Sequence, residues 1–469
     1  FNNLNLRNGG HHFNVSRVQD GLMSHIAQHT NIDIMAYEPC ILYLNGKYWG
    51  VYGLREKVDE KYVESNNSLT SDNIDMLNWR GPLVGTDKYF FEAYYDIINY
   101  SPDSSSFFGL FEQYFDVNNY IDYFIFQTYI QNKDWLLSNG KVNNIKLWRS
   151  EELDGKWRYV LYDTDYGMGV NFIEVPETDY IDIARENGTI HSRLFDQALK
   201  NDEFLCKFIS RYTDLINTIF DTDSFAAVKD HLKYQIYDAM PNHLERWKTH
   251  SGFNMWEIQV NYIANYNAQR VSYALDNVQS QFNLSGKIVL DLNVLPNTSG
   301  KIMINTITPD TYPWNGSFFA QSCPINMSAI ADSGYIFSHW QSHHVIGSQI
   351  YNDSIDISLS QDDTITANFR ECTIHNLSTN LNSIDNYLFP VFDIGYGPYS
   401  FQWFFNDTII AGAEDSLIYP SYTGMYSVSV TDKDGCNKLS DSAFFDCNIL
   451  VDGSLTQDTI TKSLNISCS

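Results

Sequence analysis

Asn132-Lys133-Asp134-Trp135, Asn143-Asn144-Ile145-Lys146-Leu147-Trp148-Arg149 and Gly155-Lys156-Trp157-Arg158-Tyr159-Val160-Leu161-Tyr162-Asp163-Thr164-Asp165-Tyr166-Gly167 decide the reading of this chain. Lys146 to Trp148 and Trp157 to Tyr162 are apolar and β-prone, with the turn signal Asp154-Gly155 between them, so they predict two paired strands. Asp163 and Asp165 end the second strand. Carboxylates two apart on an extended strand share a face, and two such acids repel unless a cation or a donor lies between them. That favours Mg2+, which is held by one or two carboxylates together with phosphate oxygens. The alternative is a surface turn with both acids in water.

Asp134 follows the apolar run Ile121 to Ile130, which predicts a helix. Its carboxylate is a candidate general base for an acceptor hydroxyl; the alternative is a turn aspartate bonded to its own backbone. Two asparagines compete for the metal-holding amide. Asn139 lies five residues after Asp134, the spacing of the protein-kinase catalytic loop. Asn144 stands directly before the strand that starts at Ile145. Lys146, Arg149, Arg55 and Lys57 are candidates to neutralise nucleotide phosphates. Glu56 is the candidate acid to orient one of them, as a Lys–Glu pair does in kinases. A Walker loop, H-E-x-x-H and G-x-S-x-G are missing from the sequence, which leaves P-loop, zincin and α/β-hydrolase chemistry unsupported. The pairs His11-His12 and His343-His344 are adjacent, and adjacent residues on a strand point apart, so neither predicts a shared metal site.

The set N-x-D-W, N-I-K-L-W-R and G-K-W-R-Y-V-L-Y-D-T-D-Y-G resembles the CotH kinase family, secreted and spore-coat protein kinases of divergent kinase fold. The similarity extends to Leu6-Arg7-Asn8-Gly9-Gly10, to Arg17 through Asp20, and to Tyr43 through Lys57. It also takes in His243-Leu244-Glu245-Arg246-Trp247, Trp256 and Arg270, so that it covers about residues 1–283. The resemblance implies ATP and Mg2+ (or Mn2+) as cofactors and a protein substrate with hydroxyl acceptors. By position, Asp134 takes the catalytic role and Asp163 the metal-binding role, with Asp165 as neighbour or co-ligand. Asn144 is favoured over Asn139, because the family's Asn directly precedes the Ile-Lys strand. The resemblance also implies a Gly/Ser- and Lys-containing segment before Leu6, and Phe1 reads as the start of a fragment or processed form. Two readings rival a kinase: a non-catalytic kinase-like surface scaffold, and another ATP-using transferase on the same fold.

Bulk properties agree with an extracellular, multidomain chain. It has 469 residues, 43% of them hydrophobic, and a net charge of −27. That length predicts several cores. The acidity argues against nucleic-acid binding, which needs clustered Lys and Arg. No apolar run of 18 residues predicts a membrane-spanning helix. Seven cysteines lie scattered without a C-x-x-C pair, so a zinc ribbon is not expected. A disulfide near the C-terminus is expected, for example Cys436 or Cys372 with Cys447.

Composition shifts near Leu284. Residues 285–370 alternate as β-strands and carry G-Y-x-F-x-x-W and a closing T-A-N-F, similar to repeat modules of bacterial surface proteins. Residues 371–449 carry G-P-Y-S-F-Q-W and G-M-Y-S-V-S-V-T-D, similar to Ig-like or PKD-like modules. Trp340 and Trp403 read as core residues of these modules. The expected architecture is therefore multidomain: a divergent α+β protein-kinase-like domain (1–283), a β-rich surface-repeat domain (284–370), an Ig/PKD-like sandwich (371–449), and a tail or further module (450–469). Such modules imply contact with the cell surface or extracellular matrix, and a secreted or surface location in a bacterium.

Overall fold

In the computed structural model, residues 3–446 are described except 138–139, 171–173, 249–251, 346, 373, 394–396 and 434. In chain order the strands of the N-terminal region are β1 (Leu4–Arg7), β2 (Asp33–Ile34), β3 (Tyr37–Leu44), β4 (Lys47–Glu56), β5 (Ile74–Asn78), β6 (Gly81–Val84), β7 (Leu136–Leu137), β8 (Lys141–Val142), β9 (Lys146–Ser150) and β10 (Arg158–Leu161). Asn45 and Gly46 take φ of 51° and 73°, which two-residue hairpin turns require, and so fold β3 back on β4. β1 pairs with the other edge of β4, giving the order β1-β4-β3. The second sheet runs β2-β10-β9-β5-β6, with β2 parallel to β10 and the other pairs antiparallel.

A helix at Val117–Tyr129 is buried along nearly its whole circumference. A helix buried on all sides lies inside a core, and here aromatic rings surround it. Phe124 stacks on Phe195 at 4.3 Å, and Tyr123 on Tyr159 of β10 at 4.6 Å. The helix starts at the cap Asp116, which accepts from the Asn119 amide. The Asn119 side chain then brackets β10, accepting from Tyr159 N at 2.7 Å and donating to Tyr159 O at 3.0 Å. Helices from Tyr180 to Gln281 cover this core, the last of them Phe253–Gln281. Residues quoted above for the family resemblance act here as tethers. Trp256 donates to Ser16 O, Trp247 to Trp49 O, and His243 Nδ1 accepts from Val51 N.

Beyond residue 286 the chain is β-rich, in several small sheets. One core gathers residues between Ile288 and Phe369, another residues between Cys372 and Phe445. Trp340 and Trp403 are 1% and 0% exposed and donate to Asn352 O and Asp415 O. The disulfides differ from the expected pairing. Cys372 joins Cys436, and Cys206 on the helix Asp202–Ile216 joins Cys323 of the first β-rich segment. Cys447 and Cys468 lie outside the described residues. Polar contacts reinforce that second link: Asp214 accepts from Thr306 and Asn305, and the side chain of Asn217 bonds the backbone of Ser317. Among the described residues no helix is long and apolar enough to cross a membrane.

Candidate active site

Strand register assembles the site. β10 sets Tyr159 against Leu147 in antiparallel pairing, so the end of β10 lies beside the start of β9. Asp163 therefore emerges next to Asn144 and Lys146. A second junction brings Asp134 to the same place. Lys133 N donates to Tyr166 O at 3.1 Å and Met168 N to Ile130 O at 2.7 Å, clasping the loop after the long buried helix to the loop after β10. Arg270, fully buried, closes the end of that helix by donating to Tyr129 O and Thr128 O. A cation there also complements the negative end of the helix dipole.

Asp163 takes a φ of 54°, and the three residues Asp163-Thr164-Asp165 are held from behind by Asp20. Its Oδ1 accepts from the Thr164 amide at 2.8 Å and from the Thr164 hydroxyl at 3.0 Å. With Thr164 turned inward, Asp163 and Asp165 converge on one atom, Nη2 of Arg7, which contacts Asp163 Oδ1 and lies 2.5 Å from Asp165 Oδ2. The donor between the two acids is thus an arginine 156 residues upstream of Asp163. Asp165 is 1% exposed and also accepts from His11 N and His11 Nδ1, each at 3.0 Å. Burial alone would raise its carboxyl; the Arg7 charge and the bonds from His11 outweigh burial and hold it below the usual range. Burial likewise works against the Arg7 charge, and the two carboxylates outweigh it. Gly10, at φ 56°, passes so close that a Cβ would lie 1.9 Å from Asp165 Oδ2.

The residues singled out from the sequence divide into those near this centre and those away from it. Asp134 Oδ2 accepts from Asn144 Nδ2 at 3.0 Å, so Asn144 meets the candidate base. Asn139 lies outside the described residues. Lys146 donates to Val58 O at 2.7 Å and covers the Tyr162 ring. Burial lowers its pKa, while Asp59 and Asp163 act to raise it. Arg55 is buried and ion-pairs with Asp20. Burial first, and then Arg7, bring its pKa down to about 10. Lys57 is half-exposed and pairs with Asp59. Glu56 accepts from Ala36 N and Asn66 Nδ2, neither of them basic; the buried acid–base pair next to it is Asp20–Arg55. Arg149 sits at the other end of β9, paired with Asp75 and Glu151 and stacked over Tyr89 at 3.9 Å.

Among the described residues no group of three or more His, Cys, Asp or Glu is arranged to hold a metal. A magnesium ion that shares its coordination with nucleotide phosphates needs only one or two protein carboxylates. Asp163 and Asp165 fit that smaller set, since they already converge on one cationic nitrogen. Behind Arg7 lies a cavity of about 20 Å3 lined by Arg7, His12, Arg17, Asp20 and Arg55 among others. His12 is fully buried there, and burial lowers its pKa to about 3, so it is neutral.

Sequence reasoning assigned no role to Arg7, Gly10, His11 or Asp20. One signal was present: Arg7-Asn8-Gly9-Gly10 is a strand end followed by two glycines, where backbone approaches something closely. The profile of the family described as CotH kinase protein matches residues 1–274. No curated protein matches the chain. The family match covers more than half of the 469 residues and contains the whole acid-lined centre, so this chain belongs to the CotH kinase protein family, with the kinase-like fold that implies.

Proposed function

We propose that the chain is a secreted or surface protein kinase that moves the γ-phosphoryl group of ATP to a Ser, Thr or Tyr hydroxyl. One observation carries this reading: Asp134 with its Asn144 donor, and Asp163 with Asp165, stand on two loops clasped by backbone hydrogen bonds. Asp134 accepts the proton of the attacking hydroxyl, and Asn144 aims its carboxylate. The hydroxyl oxygen bonds to the γ-phosphorus as the bond to the β–γ bridging oxygen breaks, and ADP leaves. Asp163 and Asp165 would hold Mg2+ or Mn2+, which supplies charge neutralisation on the phosphates. Lys146 lies within electrostatic reach of Asp163, and it adds positive charge at the phosphate end. The β-rich segments present the kinase domain to a cell-surface or matrix partner.

Labelled ATP with Mg2+ or Mn2+ tests this on the parent chain, Asp134→Ala and Asp163→Ala. Label incorporated by the parent and lost in both variants is the expected result, and intact mass separates phosphorylation from any other transfer. A folded parent that binds nucleotide but incorporates no label would favour a non-catalytic scaffold.

A further inference from the structure

Arg7 touches the two carboxylates in an unusual way. Both contacts come from the single nitrogen Nη2. Its Nε and Nη1 make no hydrogen bond among the described residues, and the side chain is 24% exposed. Arginine normally meets carboxylates through two nitrogens in a fork. Here one nitrogen acts as a point cation between an oxygen of Asp163 and an oxygen of Asp165, and Nε and Nη1 stay open. The reason for a cation is plain. Asp165 is buried, and a buried carboxylate beside a second one needs a counter-charge.

We propose that Arg7 is a displaceable counter-ion. It neutralises the Asp163–Asp165 pair while no divalent cation is bound, and it moves to phosphate oxygens of the nucleotide when a divalent cation takes over the pair. This rests on the metal and nucleotide reading above. A doubly charged ion neutralises both acids where Arg7 supplies one charge, so the exchange favours the metal once phosphate is present to receive the guanidinium. Once Nη2 leaves the acids, it forms with Nε or with Nη1 the two parallel donors that a phosphate accepts. Arg7 thus ties two events together. Metal alone must compete with the guanidinium, whereas metal with polyphosphate gains from it.

The test reads binding, not turnover. Mn2+ is titrated by electron paramagnetic resonance into the full chain, without nucleotide and then with inorganic tripolyphosphate, for the parent, Arg7→Met, Arg7→Lys and Asp165→Asn. Arg7→Met is expected to bind Mn2+ alone at least tenfold more tightly than the parent, and Mn2+·tripolyphosphate at least tenfold more weakly. Arg7→Lys keeps the charge without the fork. It should bind Mn2+ alone like the parent and tripolyphosphate like Arg7→Met, which keeps the test open should Arg7→Met fail to fold. Equal Mn2+ affinity in parent and Arg7→Met, lost in Asp165→Asn, would overturn the displacement and leave the metal site standing. No Mn2+ binding to any folded variant, with or without tripolyphosphate, would overturn the metal reading and this inference together.

Discussion

Asp20 and Thr164 are joined by two hydrogen bonds to one carboxylate oxygen, 2.8 Å from the Thr164 amide and 3.0 Å from its hydroxyl. This pair decides which way the neighbouring acids face. Thr164→Val keeps the shape and removes one bond, leaving Asp20 buried with less to accept. Losing one partner of a buried charged acceptor costs about 1–3 kcal/mol. Denaturant midpoints should show that loss, and Mn2+ titration should show weaker binding at Asp163 and Asp165. Unchanged Mn2+ affinity would mean the acids do not need this support.

Asp20→Ala should be worse than Thr164→Val. It also strands Arg55, which is 8% exposed and pairs with Asp20. Breaking one side of a buried pair costs roughly 3–5 kcal/mol. Double variants with Arg55→Met should recover part of the stability, since the unpaired charge is then gone. A double variant no more stable than Asp20→Ala would show that the charge is not the cause.

Two glycines with similar backbones give a controlled comparison. Gly10 has φ 56° and no room, with Asp165 Oδ2 1.9 Å and Arg7 Nη2 2.5 Å from where a Cβ would lie. Gly46 has φ 73° and nothing within 4 Å. Gly46→Ala should cost about 1 kcal/mol from backbone strain alone. Gly10→Ala should cost more and should also displace Arg7 and His11 from Asp165. Thermal melts of both variants measure the gap, and equal losses would refute the close approach.

Local signals were legible from the sequence, and long-range partners were not. The Asn45-Gly46 hairpin, the strands around Asp154-Gly155 and the buried helix ahead of Asp134 follow from turn chemistry and apolar spacing within a few residues. The requirement for something positive between Asp163 and Asp165 also follows from sequence, by like-charge repulsion. Which group answers it does not, because Arg7 arrives from another sheet. Glu56 reads from sequence as the acid that orients a basic residue, by analogy with the Lys–Glu pair of kinases. In the fold Arg55 turns to Asp20 instead, since successive strand residues face opposite sides. Cys206 and Cys323 sit in segments of opposite character, helical and β, and only the docking of those segments brings them together.

That docking should depend on the disulfide. Cys206–Cys323 closes a separation of 117 residues, a length at which a cross-link is worth about 2–5 kcal/mol. The double variant Cys206→Ala, Cys323→Ala should unfold at lower denaturant and expose the segment near Thr306 to protease earlier than the parent. Identical proteolysis patterns would show that the polar contacts suffice.

Asp214 makes the same junction sensitive to pH. It is fully buried, accepting from Thr306 N at 3.0 Å, Thr306 Oγ1 at 2.5 Å and Asn305 Nδ2 at 3.1 Å. Burial dominates these bonds and raises its pKa from 3.8 to about 6. An acid that holds its proton more tightly folded than unfolded stabilises the fold fully below the unfolded value and loses that contribution as pH rises through the folded one. The stability difference between the parent and Asp214→Asn should therefore shift in the parent's favour as pH falls from 7 to 4, by ~3 kcal/mol at most. Taking the difference cancels the carboxylates that titrate in both chains. Denaturant unfolding at half-unit steps measures it, and a flat difference across that window would mean Asp214 titrates as it does in water.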